Sequence, residues 1–121
     1  MVVKSYKDLN VWQKAINLAD EIYNATEKFP KNEIYGLACQ MQRSAVSIAS
    51  NIAEGSARNG TKEFIQFIAI AKGSLAELET QMIIAYRRNY MSKDIYDNLE
   101  IICTEIGKML TRLNQSLATN H

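Results

Sequence analysis

Apolar residues recur every third or fourth position along most of this chain, and that period predicts four helices. Between about residues 8 and 28, Leu9, Trp12, Ile16, Ala19, Tyr23 and Thr26 form one apolar line. Val11, Ala15, Leu18, Ile22, Ala25 and Phe29 form a second line beside it. Together they are wider than one packed neighbour needs. The first helix is therefore expected to touch two neighbours, both in its own bundle or one of them in another subunit. Phe29-Pro30 ends it, because a residue before proline is pushed out of the α region.

The second helix is expected over 33–57, with Asn32 as its N-cap and Glu33 in its first turn. Its seam is Ile34, Leu37/Ala38, Met41, Ala45, Ile48 and Ile52, closed by Gly55 or the residues after it. Asn59-Gly60 marks a connecting turn. Thr61 reads as the cap of a third helix over 62–89, cored by Phe64, Phe67/Ile68, Ala71, Leu75, Leu78, Met82 and Ala85. Gly73 falls inside that helix at a cost of about 1 kcal/mol against alanine. Ala69 and Ala76 beside it predict a close approach between helices. Arg87-Arg88-Asn89 suits a helix end. Ser92 caps a fourth helix over 93–118, whose seam of Ile95, Leu99, Ile102, Ile106, Met109/Leu110, Leu113 and Leu117 is the cleanest in the chain. Four such helices with short connections predict an all-α, antiparallel up-down four-helix bundle. With 121 residues, the whole chain reads as one domain.

The second helix departs from simple amphipathicity. Arg43, Ser47, Ser50, Asn51 and Glu54 lie three or four apart and draw a polar stripe along it. The third helix adds Gly73, Ser74 and Glu77. The reading with most weight is a hydrogen-bonded network, buried or between subunits, with Arg43 bridging to Glu54 or Glu77 and the Ser and Asn side chains setting helix register. A ligand or nucleic-acid contact surface is the second reading. Arg43, Ser47, Asn51, Glu54, Gly73, Ser74 and Glu77 are thus the candidates for assembly or binding.

Charge narrows the function classes. The net charge is +1, and no quarter of the chain departs from neutrality by more than one. Whole-molecule steering toward nucleic acid or an anionic membrane is therefore weak. Lys72, Arg87 and Arg88 remain candidates for RNA contact, the last two inside Tyr86-Arg87-Arg88-Asn89-Tyr90, where aromatics beside cations suit bases and phosphates. No apolar run reaches the roughly 18 residues of a membrane span, and the start lacks a signal peptide's apolar core. A cytoplasmic protein with no membrane partner is expected. Cys39 and Cys103 sit in apolar patterns without CxxC spacing, which predicts two reduced core residues.

Catalytic chemistry finds little support. The only histidine is His121, so a Glu-x-x-His metal pair and a histidine base are both lacking. An all-carboxylate site from Glu54, Glu63 and Glu77, serving a metal-dependent hydrolase, is the weakest reading, since such glutamates are commonly solvated or paired. No catalytic residue, metal site or cofactor is assigned.

The motifs together resemble a known family. Asp8-Leu9-Asn10-Val11-Trp12-Gln13-Lys14-Ala15, Phe29-Pro30-Lys31-Asn32-Glu33-Ile34-Tyr35-Gly36-Leu37, Gln42-Arg43-Ser44-Ala45-Val46-Ser47-Ile48 and Asn51-Ile52-Ala53-Glu54-Gly55 are similar to stretches of the four-helix-bundle proteins encoded within intervening sequences of bacterial 23S ribosomal RNA genes. Lys62-Glu63-Phe64 and Ala71-Lys72-Gly73-Ser74-Leu75-Ala76-Glu77-Leu78-Glu79 continue the likeness. The resemblance implies a ring-shaped homopentamer of bundles with no firm molecular activity. The function expected from residues and resemblance together is that of a non-enzymatic oligomeric scaffold associated with RNA or a protein partner. A related branch, the accessory proteins of diversity-generating retroelements, forms basic pentamers that bind nucleic acid and a reverse transcriptase. A nucleic-acid-binding pentamer of that kind is the alternative, from which this near-neutral chain departs in charge.

Overall fold

Four helices carry the structure, a computed structural model describing residues 5–119: α1 (Asn10–Thr26), α2 (Leu37–Ser56), α3 (Thr61–Arg87) and α4 (Lys93–Thr119). Single 3-10 turns at Tyr6–Asp8 and Lys31–Glu33 precede α1 and α2, and no strand occurs among the described residues. Around the bundle α2 packs on α1 and α3, and α4 packs on α3 and α1. Gln42 at the start of α2 donates to Thr26 Oγ1 at the end of α1, 3.0 Å away. Trp12 and Ile16, at the other end of α1, lie beside Ala49 and Ala53. Met82 meets Cys103, and Leu75 lies against Gly107. Lys14 pairs with Glu105, and Ala25 neighbours Ile95. In each of these pairs one number rises as the other falls, so neighbouring helices are antiparallel.

Most of the core is the one the periodicity predicts, but Ile34, expected in the second seam, lies before α2 and is exposed. Val11, Ala15, Leu18, Ile22 and Ala25 of α1 are buried with Met41, Ala45, Ile48 and Ile52 of α2. Ile68, Ala71, Leu75, Leu78, Met82 and Ala85 of α3 and Leu99, Cys103, Ile106 and Leu110 of α4 complete it. Each fully buried aliphatic side chain contributes about 1.5–3 kcal/mol against exposure.

The second helix starts later than its sequence signals indicate. Lys31–Glu33 forms a 3-10 turn after Pro30, and Gly36, not Asn32, is the N-cap of α2. Glu33 acts on the helix from outside it. One carboxylate oxygen accepts from the Leu37 N–H at 3.1 Å, and the other accepts from the Tyr90 hydroxyl at 2.9 Å. These donors, the Leu37 N–H first, hold the Glu33 carboxyl below its ordinary pKa, against a smaller opposing effect of burial. Glu33 thus ties the start of α2 to the turn between α3 and α4.

Thr61 is likewise the first helical residue of α3 rather than its cap. That position belongs to Gly60, in extended conformation. The far end of α3 agrees with its sequence. Asn89 takes the left-handed conformation at φ 63°. Its N–H reaches the Tyr86 carbonyl at 3.0 Å, and the Tyr90 N–H reaches the Ala85 carbonyl at 2.9 Å. This is the Schellman closure, with asparagine where glycine is usual. Ser92 caps α4 as expected, accepting from the Ile95 N–H at 3.2 Å.

Candidate functional site

The polar stripe divides between a seam and a surface. At the α2–α3 seam the Ser47 and Ser74 hydroxyls are 2.8 Å apart. Asn51 Nδ2 donates to the Ser47 carbonyl at 2.8 Å and to Ser47 Oγ at 3.0 Å. Ser74 is buried, and Ser47 and Asn51 are half-buried. These three form a satisfied intrachain network that pins one helix to the other. Arg43, Ser50 and Glu54 stay exposed. Glu54 pairs with Arg58 at 2.9 Å, while Arg43 has no ion pair among the described residues. The expected bridge from Arg43 to Glu54 or Glu77 is therefore not made within the chain.

The close approach falls at a different glycine from the one expected. A Cβ at Gly55 would stand 2.6 Å from Phe67 Cβ and 2.9 Å from Phe64 Cδ1. This is the close approach between α2 and α3. Gly73, where a close approach was expected, meets nothing within 4 Å. Together with Ala69, Ile70, Ala76, Thr80, Ile83 and Ile84 it makes an exposed, mostly apolar strip on α3. Glu77 is the only charge on this strip. Beside it a cleft of about 420 Å³ is lined by Gln40, Gly73, Ala76, Glu77, Thr80, Gln81 and Ile84. Gln81 Oε1 is shielded from solvent there without a hydrogen-bond partner.

A second exposed apolar face follows from the double line on α1. The line from Val11 to Phe29 is buried, but Trp12 and Ala19 are only half-covered, and Ile16 and Tyr23 are exposed, Tyr23 by 47%. Trp12, Ile16 and Ala19 border a shallow cleft with Val46, Ala49 and Ala53 of α2, continued by another of about 460 Å³ between Tyr23, Cys39, Gln42, Arg43, Val46 and Ser47. Cys39 is thus a half-buried cleft residue rather than a core residue. Cys103 is fully buried, its thiol pushed up to about 12 by burial and then by Glu79 and Glu100. It is an inert thiol at neutral pH.

A cleft of about 740 Å³ lies between α3 and α4. Lys72 lines it, with Lys108 and Arg112, which the sequence reading passed over. Their four-residue spacing on α4, set against Lys72 on an antiparallel neighbour, was the available signal. Arg87 and Arg88 are elsewhere, about 22 Å or more along α3 by helical rise. The tyrosines around them are engaged, Tyr86 stacked on Tyr96 at 4.9 Å and Tyr90 packed on Phe29 at 5.4 Å. Tyr86, Arg87 and Arg88 nevertheless stay exposed.

No cluster of three or more His, Cys, Asp or Glu residues suited to a metal occurs among the described residues. Glu54 and Glu63 both face Arg58, while Glu77 lies in the α3 strip, so the three-carboxylate site does not converge. His121 lies outside the described residues. No helix among the described residues is long and apolar enough to cross a membrane.

The fold and its seam define an all-α four-helix protein with an internally satisfied polar network and two exposed apolar faces. Residues 7–112 match the family described as 23S rRNA-intervening sequence protein, and the chain belongs to that family. The fold is similar to that of a crystallised protein of unknown function from the S23 ribosomal protein family of Bacteroides thetaiotaomicron. The TM-score is 0.81 at 25% identity, over 87% of this chain and 95% of the other. No curated protein matches the chain.

Proposed function

We propose that the chain is the non-enzymatic subunit of a closed homo-oligomer that serves as a scaffold for an RNA or protein partner. The carrying observation is the pair of exposed apolar faces. One is the α1–α2 face with Ile16, Tyr23 and Val46, and the other is the α3 strip with Ile70, Gly73, Ala76, Ile83 and Ile84. Contiguous apolar surface of this kind marks interaction sites. Because the two faces differ, their union between copies is head-to-tail, and such contacts close into rings when the rotation allows. Charge supports the pairing. Arg43 borders the first face and Glu77 the second, and neither has an ion-pair partner among the described residues. Gly73 would then provide close approach to a neighbouring subunit, and Gln81 Oε1 would find its donor there. Five copies is the number the family resemblance implies.

Light scattering tests the reading. The protein is expected at several times its subunit mass. Arg43→Glu and Glu77→Arg should each reduce that mass with helicity retained, and the double exchange should restore it. A wild-type monomer at micromolar concentration would sink the proposal.

A further inference from the structure

The α3–α4 cleft is separate from both faces used above. It lies on the flank of α3 that carries Lys72, Leu75 and Glu79, whereas Gly73, Ala76, Glu77 and Thr80 lie on the flank toward α2. The contacts of Met82 with Cys103 and of Leu75 with Gly107 set the register of the two helices. Lys72, one turn before Leu75, therefore stands level with Thr111 and Arg112. Lys108 is one turn from Arg112 on the same face. Lys72, Arg112 and the Thr111 hydroxyl thus border one end of the cleft, and Lys108 stands one turn further in, beside Gly107. None of the three cations has a carboxylate within 4 Å among the described residues. Like charges gathered without a counter-charge repel, and an anion seated among them removes that cost.

The rest of the cleft limits what carries the anion. Its floor is apolar, formed by Leu75, Cys103 and the bare backbone of Gly107. Its other end holds Glu79, about 10 Å from Lys72 by helical rise. No aromatic side chain lines it, so the stacking platform of a single-strand track is missing. The lengthwise order is cations, apolar floor, carboxylate. We infer that this cleft binds a phosphate ester of nucleotide size, its phosphate on Lys72, Lys108 and Arg112 and a hydrogen-bond donor of its far end on Glu79.

The inference does not rest on the assembly reading, since its residues avoid both proposed contact faces. Titration calorimetry on the full chain at low ionic strength tests it, with adenosine monophosphate, inorganic phosphate and a short 5′-hydroxyl RNA as probes. Adenosine monophosphate should bind more tightly than inorganic phosphate. Lys108→Ala with Arg112→Ala, both exposed, should weaken it about tenfold or more with circular dichroism unchanged. Arg87→Ala with Arg88→Ala removes the same charge outside the cleft and should leave affinity within about twofold. Glu79→Gln should weaken the nucleotide but not inorganic phosphate. Absence of binding, or equal losses in the two double variants, would overturn the site. Tighter binding of the 5′-hydroxyl RNA than of the nucleotide, through the same cations, would overturn the small-ester assignment.

Discussion

The two flanks of α3 solve opposite problems. At its crossing with α2 the helix is closed. Gly55 leaves no room above Phe64 and Phe67, and Ser74 meets Ser47 in a hydrogen-bonded pair. Toward α4 it opens into a cleft whose end is bordered by cations. A closed flank uses small and polar residues to fix register. An open flank keeps side chains that have no partner in the chain. On one helix, then, identity alone does not separate structural from available residues. Ser74 belongs to the fold and Lys72, two positions away, does not.

The largest expected effect comes from breaking the closed flank. Gly55→Ala pushes a methyl against Phe67 Cβ, an atom close to the backbone that cannot swing aside. Overpacking of this sort costs about 1–3 kcal/mol, to be read from the denaturant midpoint. Ser74→Ala should follow at about 1 kcal/mol, because the Ser47 hydroxyl loses its partner across the seam. Combining it with Ser47→Ala should cost less than the sum of the single changes, since both disrupt one bond.

Gly73→Ala inverts the sign. Nothing obstructs a Cβ there, so an isolated subunit should gain up to about 1 kcal/mol of helix stability. If the α3 strip is covered by another copy, the same change should lower the assembled mass, and no change in mass would separate Gly73 from the interface. Lys108→Ala with Arg112→Ala should shift stability by no more than about 0.5 kcal/mol, as expected of exposed side chains outside the core.

The smallest effect is a pH dependence on the open flank. Burial, and then Glu100, raise the Glu79 carboxyl above its ordinary 4.5. The folded chain therefore holds this proton where the unfolded chain has lost it. Stability from this group falls as pH rises from the unfolded value through the raised folded one. Glu79→Gln should remove that decline and leave stability below the window unaffected by charge at this position. Parallel pH profiles of wild type and variant would show that Glu79 carries no such linkage.

Much of the fold was legible because helical period and burial are the same information. The α4 seam, the buried line from Met41 to Ile52 and the Ser92 cap were read from spacing and residue type alone. The misreadings share a cause. Asn32-Glu33 has the composition of a cap and first turn, but after Pro30 the chain makes a 3-10 turn, and Glu33 reaches forward to Leu37 instead. Gly73 between Ala69 and Ala76 has the composition of a close helix approach, yet nothing stands within 4 Å of it, and Gly55 takes that place against Phe67. In both cases local composition did not fix what the residue meets.

By itself the sequence determined the number of helices, the core face of each and the near-neutral charge, since these follow from period and composition. Only the tertiary structure decided which glycine lies at a helix crossing, which half of the polar stripe is satisfied and where Lys72 finds its companions. The physical reason is register. Seven residues carry a helix about 10 Å along its axis. What a side chain meets therefore depends on how neighbouring helices slide and rotate against one another, and packing across the whole core sets that.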